Sequence, residues 1–191
     1  MRHGETGWRN QNGMSLIEVM VVVVLIGIVT LIGTQGIDFY QRYELQSASR
    51  QLFGTIEKVR QDAMTKRTPT IQSRGFGLRL TGLAPNYTGY TTFEFDDIDN
   101  DFVYDGTGEE FTPTGPNLFS RSIIVTSNTT GTSPNVLLYD DRGLSRSTNG
   151  ASGIRTHWVD HGSLPTPRRC VVVGTIRIRE GVWNASTGEC D

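Results

Sequence analysis

The sequence predicts an α+β protein in which one long N-terminal helix precedes a small antiparallel β-sheet. Three observations support this fold class. An uncharged apolar run leads directly into a stripe of apolar residues at helical spacing, and after Thr70 the hydrophobic period changes to two. The 22 glycines and 7 prolines lie mostly beyond position 70, as expected for a β structure with many loops.

The composition disfavours a general nucleic-acid binder, a zinc protein and an enzyme. The formal net charge is −2, so the chain lacks the excess of positive charge that attracts nucleic acid. The 3 histidines and 2 cysteines leave little material for a zinc cluster. His157 and His161 could share a metal only on a helix, and nearby glycines and prolines argue against one. We therefore predict no catalytic residues.

The apolar run has the length of a membrane span. Residues 19–33 contain no charge and a single polar side chain, Thr30. With its flanks the run covers 14–37, which is about 36 Å as a helix, enough to cross a bilayer core. A strand of this length would be exceptional. A secretory signal peptide would share the positive start, but no Ala-x-Ala-like cleavage site follows. We predict a retained transmembrane helix.

One acid, Glu18, stands at the edge of this run without a basic residue nearby in sequence. A carboxylate near the membrane centre costs about 2.5–3.5 kcal/mol on insertion scales, so an acid there indicates a function. A second interpretation is also open. Ser15 and Glu18 have the spacing of a capping box, in which Glu18 would satisfy a backbone N–H at the start of the helix.

This N-terminus resembles the class III signal of type IV pilins and type II secretion pseudopilins. The resemblance rests on Gly13, on the acid Glu18 five residues later and on the uncharged run, with Met14 where Phe is more usual. It implies that prepilin peptidase cuts between Gly13 and Met14 and methylates the new amino group of Met14. It also implies that Glu18 pairs with the N-terminal ammonium of a neighbouring subunit, which supplies the cation that a buried carboxylate needs.

The resemblance further implies a type IV pilin-like fold with four segments. Residues 1–13 are a leader peptide, 14–37 a transmembrane and assembly helix, 38–67 an amphipathic continuation of that helix, and 68–191 a periplasmic β-rich head. The continuation is also predicted by one apolar stripe at 3-4-4-3-4 spacing, which would pack on a sheet: Leu45, Ala48, Leu52, Ile56, Val59 and Ala63. Thr68-Pro69 marks its predicted end.

Three further segments, 46–67, 137–143 and 170–178, resemble the GspH/FimT group of minor pseudopilins and minor pilins. This resemblance favours a structural subunit of a type II secretion pseudopilus. The alternative is a FimT/FimU-like minor pilin that primes type IV pili or binds DNA during uptake. The implied partners are other pilins or pseudopilins, prepilin peptidase, the inner membrane and its assembly platform. The implied location is a single-pass inner-membrane protein with a periplasmic head, which later enters a periplasmic or extracellular filament.

Within the head, short runs of alternating or continuous apolar residues predict strands over 76–80, 90–95, 123–125, 136–139 and 171–178. Loops rich in Gly, Thr, Ser and Asn separate these runs.

The two cysteines, Cys170 and Cys190, enclose a C-terminal loop. A head outside the cytoplasm permits a disulfide between them, and many pilins close a C-terminal loop in this way. Two free thiols are the alternative.

The segment 94–110 holds eight of the twenty acids of the chain. Asp97, Asp99, Asp101 and Asp105 follow the spacing of a calcium loop, but Phe102 stands where the tight turn of an EF-hand needs glycine. Calcium binding and a solvated acidic loop are both open interpretations, and the fold requires no cofactor.

Arg177 and Arg179 stand at i and i+2 at the end of the predicted strand 171–178, and strand neighbours at this spacing project from the same sheet face, which would make them a small guanidinium pair. FimT-like minor pilins carry a C-terminal Gly-Arg-x-Arg motif that is implicated in binding DNA. This sequence keeps Gly174 and Arg177 and lacks the first arginine of that motif. A DNA contact and a solvated or subunit-facing arginine pair are the two interpretations.

Overall fold

The computed structural model describes residues 14–66, 73–98, 103–128, 135–146, 154–164 and 168–191, with the backbone alone at 31–35, 73 and 74. The chain divides into two compact units, Met1–Tyr40 and Gln41–Asp191. The predicted leader, 1–13, lies outside the described residues.

The helix α1 covers Leu16–Thr65 and is 50 residues long, which confirms the predicted long N-terminal helix. It begins after Ser15, whose carbonyl oxygen accepts the backbone N–H groups of Glu18 (2.9 Å) and Val19 (3.2 Å). The helix ends three residues before Thr68-Pro69, where the sequence predicts a stop because the residue before a proline avoids the helical conformation.

The predicted apolar stripe of α1 forms the centre of the head. All six of its residues are buried, and Leu52 and Ile56 are fully so. They pack in one cluster with buried residues of the sheet, among them Leu78, Leu80, Ile123, Val125, Leu137, Val159 and Val171. Fully burying a side chain of this size contributes about 1.5–3 kcal/mol. The stripe therefore fixes which face of the sheet lies against the helix.

The strands differ in length and form one antiparallel sheet. Their bounds are β1 Ser73–Leu83, β2 Asn86–Asp96, β3 Glu110–Leu118, β4 Ile123–Ser127, β5 Val136–Asp140, β6 Ser145–Arg146, β7 Arg155–His161, β8 Arg169–Val173, β9 Ile178–Asn184 and β10 Glu189–Cys190. A short 3-10 turn covers Thr107–Glu109. The order across the sheet is β10-β9-β8-β7-β4-β2-β1-β5-β6, and β3 pairs with β2 beside β4.

Four of the predicted strands correspond to β1, β2, β4 and β5. The predicted single strand over 171–178 is wrong. The chain turns after Val173 and re-enters the sheet at Ile178, and the N–H of Gly174 donates to the carbonyl of Arg177 (2.8 Å). Six of the eight residues over 171–178 are β-branched, so this segment fits one strand equally well. Only the pairing between β8 and β9 selects the hairpin.

The sequence also does not predict β7, although its residues alternate between buried and half-buried. Its inward positions include Arg155, His157 and His161, which are polar. A search for alternating apolar residues therefore misses this strand.

The β6 end of the sheet contacts the turn between β8 and β9. The hydroxyl of Ser145 donates to the carbonyl of Gly174 (3.1 Å), and its N–H donates to the carbonyl of Thr175 (3.0 Å). Beside them the guanidinium of Arg155 donates to the carbonyl of Val136. These contacts join β5 and β6 to β7 and the β8–β9 turn, so the sheet curls around the C-terminal end of α1.

A second, smaller core lies on another part of the sheet. It contains Phe93, Phe95, Tyr104, Val136 and Leu138. At its edge the carboxylate of Glu110 accepts two hydrogen bonds from Arg79 (2.6 and 3.0 Å) and one from the hydroxyl of Tyr104 (2.6 Å). A buried carboxylate is tolerated when its oxygens are satisfied in this way. Burial, followed by Glu110, raises the pKa of Tyr104.

The turn between β5 and β6 ties the sheet to the end of the helix. One carboxylate oxygen of Asp140 accepts the N–H groups of Arg142 (3.0 Å) and Leu144 (2.9 Å), and the other accepts the guanidinium of Arg146 (2.9 Å). The carbonyl of Gly143 accepts a hydrogen bond from Arg60 of α1 (3.1 Å). This turn is the 137–143 segment whose sequence resembles the GspH/FimT group.

We predict that Gly143→Ala and Gly54→Ala change stability in opposite directions. Gly143 has φ +73°, and a Cβ there would lie 2.7 Å from the sulfur of Met64. Alanine at this position should lower the free energy of unfolding by about 1–2 kcal/mol. Gly54 lies within α1 with open space at its Cβ position, so alanine should raise it by about 0.5–1 kcal/mol. Chemical denaturation followed by circular dichroism measures both, and destabilisation of equal size would contradict the assignment.

Candidate assembly site and the surfaces of the head

The N-terminal part of α1 presents an uncovered apolar surface. Every described side chain from Met14 to Thr30 is exposed, including Leu16 at 78% and Val29 at 68%. Apolar patches of this extent are rare on soluble monomers and mark sites that bind membranes or other proteins. This stretch of helix is therefore the candidate assembly site.

Within the part of the chain whose side chains are described, no helix combines the length and the apolarity that crossing a membrane requires. The predicted transmembrane segment 14–37 includes 31–35, whose side chains lie outside that description.

Glu18 lies in the first turn of α1, with its side chain exposed. A carboxylate at this position is favoured by the positive end of the helix dipole, by about 0.3–1 kcal/mol. Gly13 lies outside the described residues, and Met14 is exposed at the start of the described chain. Cleavage between Gly13 and Met14, methylation of Met14 and the pairing of Glu18 in a filament stay predictions.

The predicted disulfide is present. Cys170 of β8 and Cys190 of β10 are bonded, with their Cα atoms 6.1 Å apart. Val172 and two tryptophans pack around the bridge. The rings of Trp158 and Trp183 meet edge to face, with their centres 5.4 Å apart. The disulfide therefore belongs to a small apolar cluster that holds the C-terminal hairpin β9–β10.

Arg177 and Arg179 are both exposed, but they are not neighbours on one strand. Arg177 ends the β8–β9 turn, and Arg179 lies in β9 opposite Val172. The two arginines therefore do not alternate along one strand as predicted, because the chain turns between Val173 and Ile178 and Arg177 lies outside β9. A contact of either arginine with DNA stays a prediction.

The four acids of the predicted calcium loop are only partly described. Asp97 is buried at the end of β2, and the N–H of Asp105 donates to the carboxylate of Glu109 (2.6 Å). Asp99 and Asp101 lie outside the described residues. Among the residues that are described, no group of three acids, histidines or cysteines is placed to hold a metal. Calcium binding stays a prediction.

The two C-terminal histidines lie on β7 and both point inward. Four residues along a strand separate them by about 13 Å, which rules out one metal ion bridging the two rings. The ring Nδ1 of His161 accepts the N–H of Ser163 (3.3 Å), so its Nε2 carries the proton and donates to Glu44 of α1 (3.2 Å). The hydroxyl of Ser120 also hydrogen-bonds to Glu44.

Glu44 therefore anchors α1 to the sheet through polar contacts. The sequence does not predict this role. It stands one position before the apolar stripe, where a charged side chain is expected to be solvated. Only the tertiary structure places His161 and Ser120 against it.

His157 and Arg155 are buried polar groups on the inner face of β7. Burial, followed by repulsion from Arg155, lowers the pKa of His157 to about 4. Neither ring nitrogen of His157 has a hydrogen-bond partner within the described part of the chain. Burial lowers the pKa of Arg155 to about 10, and its guanidinium donates to the carbonyls of Val136 and Arg146.

We predict that His157 makes the head lose stability in acid. The native state keeps His157 neutral down to about pH 4, whereas the unfolded chain takes up a proton near pH 6.5. Only the unfolded state is then protonated in this window, so stability falls as the pH falls, by about 3 kcal/mol at most. Denaturation of the full chain in detergent at several pH values measures this loss.

His157→Gln removes the titrating group and should flatten the pH dependence between pH 6.5 and 4. His161→Gln is the matched control, since it changes the other inward histidine of β7. An unchanged acid loss in His157→Gln would assign the effect to other groups.

We also predict that the disulfide stabilises the head. Removing a bridge with a sequence separation of 20 costs about 3 kcal/mol in the chain-entropy treatment. The double variant Cys170→Ala/Cys190→Ala should lose this amount in denaturation experiments. Non-reducing mass spectrometry of the unmodified chain should detect no alkylatable thiol, and two alkylatable thiols would refute the bridge.

Two comparisons with known proteins agree with this architecture. Residues 8–34 match the family described as the prokaryotic N-terminal methylation motif. The fold is similar to a crystal structure of the type IV minor pilin FimU from Pseudomonas aeruginosa (strain PAO1), with a TM-score of 0.51 and 13% identity. The similarity covers 74% of this chain and 90% of FimU. No curated protein shows significant similarity to the sequence.

The family match covers the N-terminal segment, and the structural match covers most of the chain. At 13% identity the similarity to FimU establishes a shared fold and nothing finer. The chain thus carries a prokaryotic N-terminal methylation motif, and its fold is similar to that of a type IV minor pilin.

Proposed function

We propose that this chain is a minor subunit of a type IV filament, made as a prepilin, cut between Gly13 and Met14, and assembled through the N-terminal part of α1. The uncovered apolar surface of Met14–Thr30, with Glu18 as its acid in the first turn, is the observation that carries the proposal. The proposed role is structural, not catalytic.

The apolar surface must be shielded from water both before and after assembly. Each fully buried Val, Leu or Ile side chain gains about 1.5–3 kcal/mol over exposure to water, so this helix is not stable in solvent. We infer that the inner membrane covers it first and that the helices of neighbouring subunits cover it after assembly. A head on the periplasmic side agrees with the Cys170–Cys190 disulfide, because such bonds persist in oxidising compartments.

In this assembly Glu18 sets the alignment of neighbouring helices. Once the helix is covered, the carboxylate is removed from water and requires a cation. Cleavage after Gly13 creates one at the amino group of Met14, and the two charges attract by about 4 kcal/mol at 4 Å in a surrounding of intermediate polarity. Pairing with the ammonium of the adjacent subunit thus aligns neighbouring helices.

The filament is either a type II secretion pseudopilus or a type IV pilus. The GspH/FimT-like segments are compatible with both, because that group contains minor pseudopilins and minor pilins, and the similarity to FimU establishes only the fold. Deleting the gene separates them. Loss of secretion of folded proteins with normal pili supports the pseudopilus, and loss of surface pili with normal secretion supports the pilus.

We predict that Glu18→Leu and Glu18→Gln chains are membrane-bound but enter filaments at least tenfold less than the unmodified chain, since either change removes the partner of the ammonium. The control is Thr30→Val, which changes another polar side chain of the exposed stretch. Its hydroxyl donates to the carbonyl of Ile26 (2.7 Å) and needs no partner from another subunit. Immunoblots of sheared filaments measure incorporation.

N-terminal sequencing of the membrane form should begin at methylated Met14. A membrane form that begins at Met1, or normal incorporation of Glu18→Leu, would contradict the proposed function.

A further inference from the structure

The face of the sheet that turns away from α1 holds a groove that the proposed function does not use. Its floor is formed by Ile124 and Thr126 of β4 and Asp160 of β7. Their neighbours Ile123, Val125 and Val159 are buried against the helix, so the floor residues point to the opposite face. The groove has a volume of about 840 Å³, within the range of sites for small organic ligands.

One wall of the groove is Asn86 at the start of β2, and the other is Trp183 and Asn184 of β9. The second wall is rigid. Trp183 pairs with Cys190 in the β9–β10 hairpin and packs edge to face against Trp158. The carboxamide of Asn184 accepts the N–H of Ser186 (3.1 Å). An aromatic ring and the carboxamide of Asn184 are thus held in place beside the groove before any ligand binds.

The charges of the groove do not favour an anion. Both carboxylate oxygens of Asp160 accept hydrogen bonds from the guanidinium of Arg168 (2.5 and 2.7 Å), so that arginine is already neutralised. The other charged lining residue is Asp191, whose carboxylate accepts a hydrogen bond from Asn184 (3.2 Å). Phosphates, nucleic acids and acidic peptides would meet no free cation among the described lining residues.

The floor also disfavours an added peptide strand. Strand addition needs an open sheet edge with unpaired backbone groups. The floor is the face of β4, which pairs with β7 along its length and with β2 at Tyr87–Val125. Recognition here must therefore come from side chains: one aromatic ring, apolar groups and neutral or neutralised polar groups.

We propose that this groove binds a neutral carbohydrate of about two or three sugar units, a size that fits a site of this volume. A sugar ring has an apolar face, which suits Trp183 and Ile124, and hydroxyl groups that both donate and accept hydrogen bonds. The side chains of Asn86 on the wall and Thr126 on the floor offer hydrogen-bond donors and acceptors to these hydroxyl groups.

Calorimetric titration of the full chain in detergent tests this inference with maltotriose, cellotriose and triacetylchitotriose as probes. At least one should bind, with an affinity that does not change between low and high salt because the ligand is neutral. Asn86→Ala and Thr126→Ala each remove one hydrogen-bonding group and should weaken binding about three- to tenfold. Asn117→Ala is the matched control, an exposed asparagine on β3 outside the groove, and should bind normally.

Asn86 is exposed, so its loss leaves the core intact, and circular dichroism of each variant confirms the fold. The inference is overturned if none of the three trisaccharides binds, if binding is unchanged in both groove variants, or if it is lost equally in Asn117→Ala. Tighter binding of choline than of any sugar would also overturn it, since the groove would then select a cation.

Discussion

The packing of one helical stripe on one face of the sheet is the constraint on which the head depends. Leu52 and Ile56 are fully buried at its centre, and the sheet residues that meet them come from both halves of the strand order. Because the sheet curls until Ser145 meets the β8–β9 turn, the same stripe contacts strands that are far apart in sequence. The other surfaces of the head are those that do not face this interface between the helix and the sheet.

The C-terminal and N-terminal parts of α1 differ in how their side chains are buried, although they belong to one continuous helix. Its C-terminal part buries a narrow stripe and leaves charged residues at the sides, as a helix on a sheet does. Its N-terminal part is apolar on all sides and exposed throughout the described residues up to Thr30. A helix of the second kind is stable only inside a membrane or among other helices, which links the fold to assembly.

Polar groups inside the head favour one alignment of the helix on the sheet. Glu44 of α1 meets Ser120 and His161, while Arg155 joins β7 to β5 across the curled sheet. A buried polar group costs free energy unless its partner is in place, so alternative alignments of helix and sheet are penalised. The same low polarity lowers the pKa of His157, from which the loss of stability in acid is predicted.

The sequence alone determined the elements whose evidence is local. The uncharged run and the stripe from Leu45 to Ala63 are patterns within one helix, and period and charge predict them directly. The signal around Gly13 and Glu18 is identified from its resemblance to known prepilin signals. Tertiary structure decided what depends on pairing between distant strands: the turn between Val173 and Ile178, the polar strand β7, the partners of Glu44 and the groove beside Trp183. A strand's neighbours and the face it buries are set by register across the sheet, which no window of consecutive residues contains.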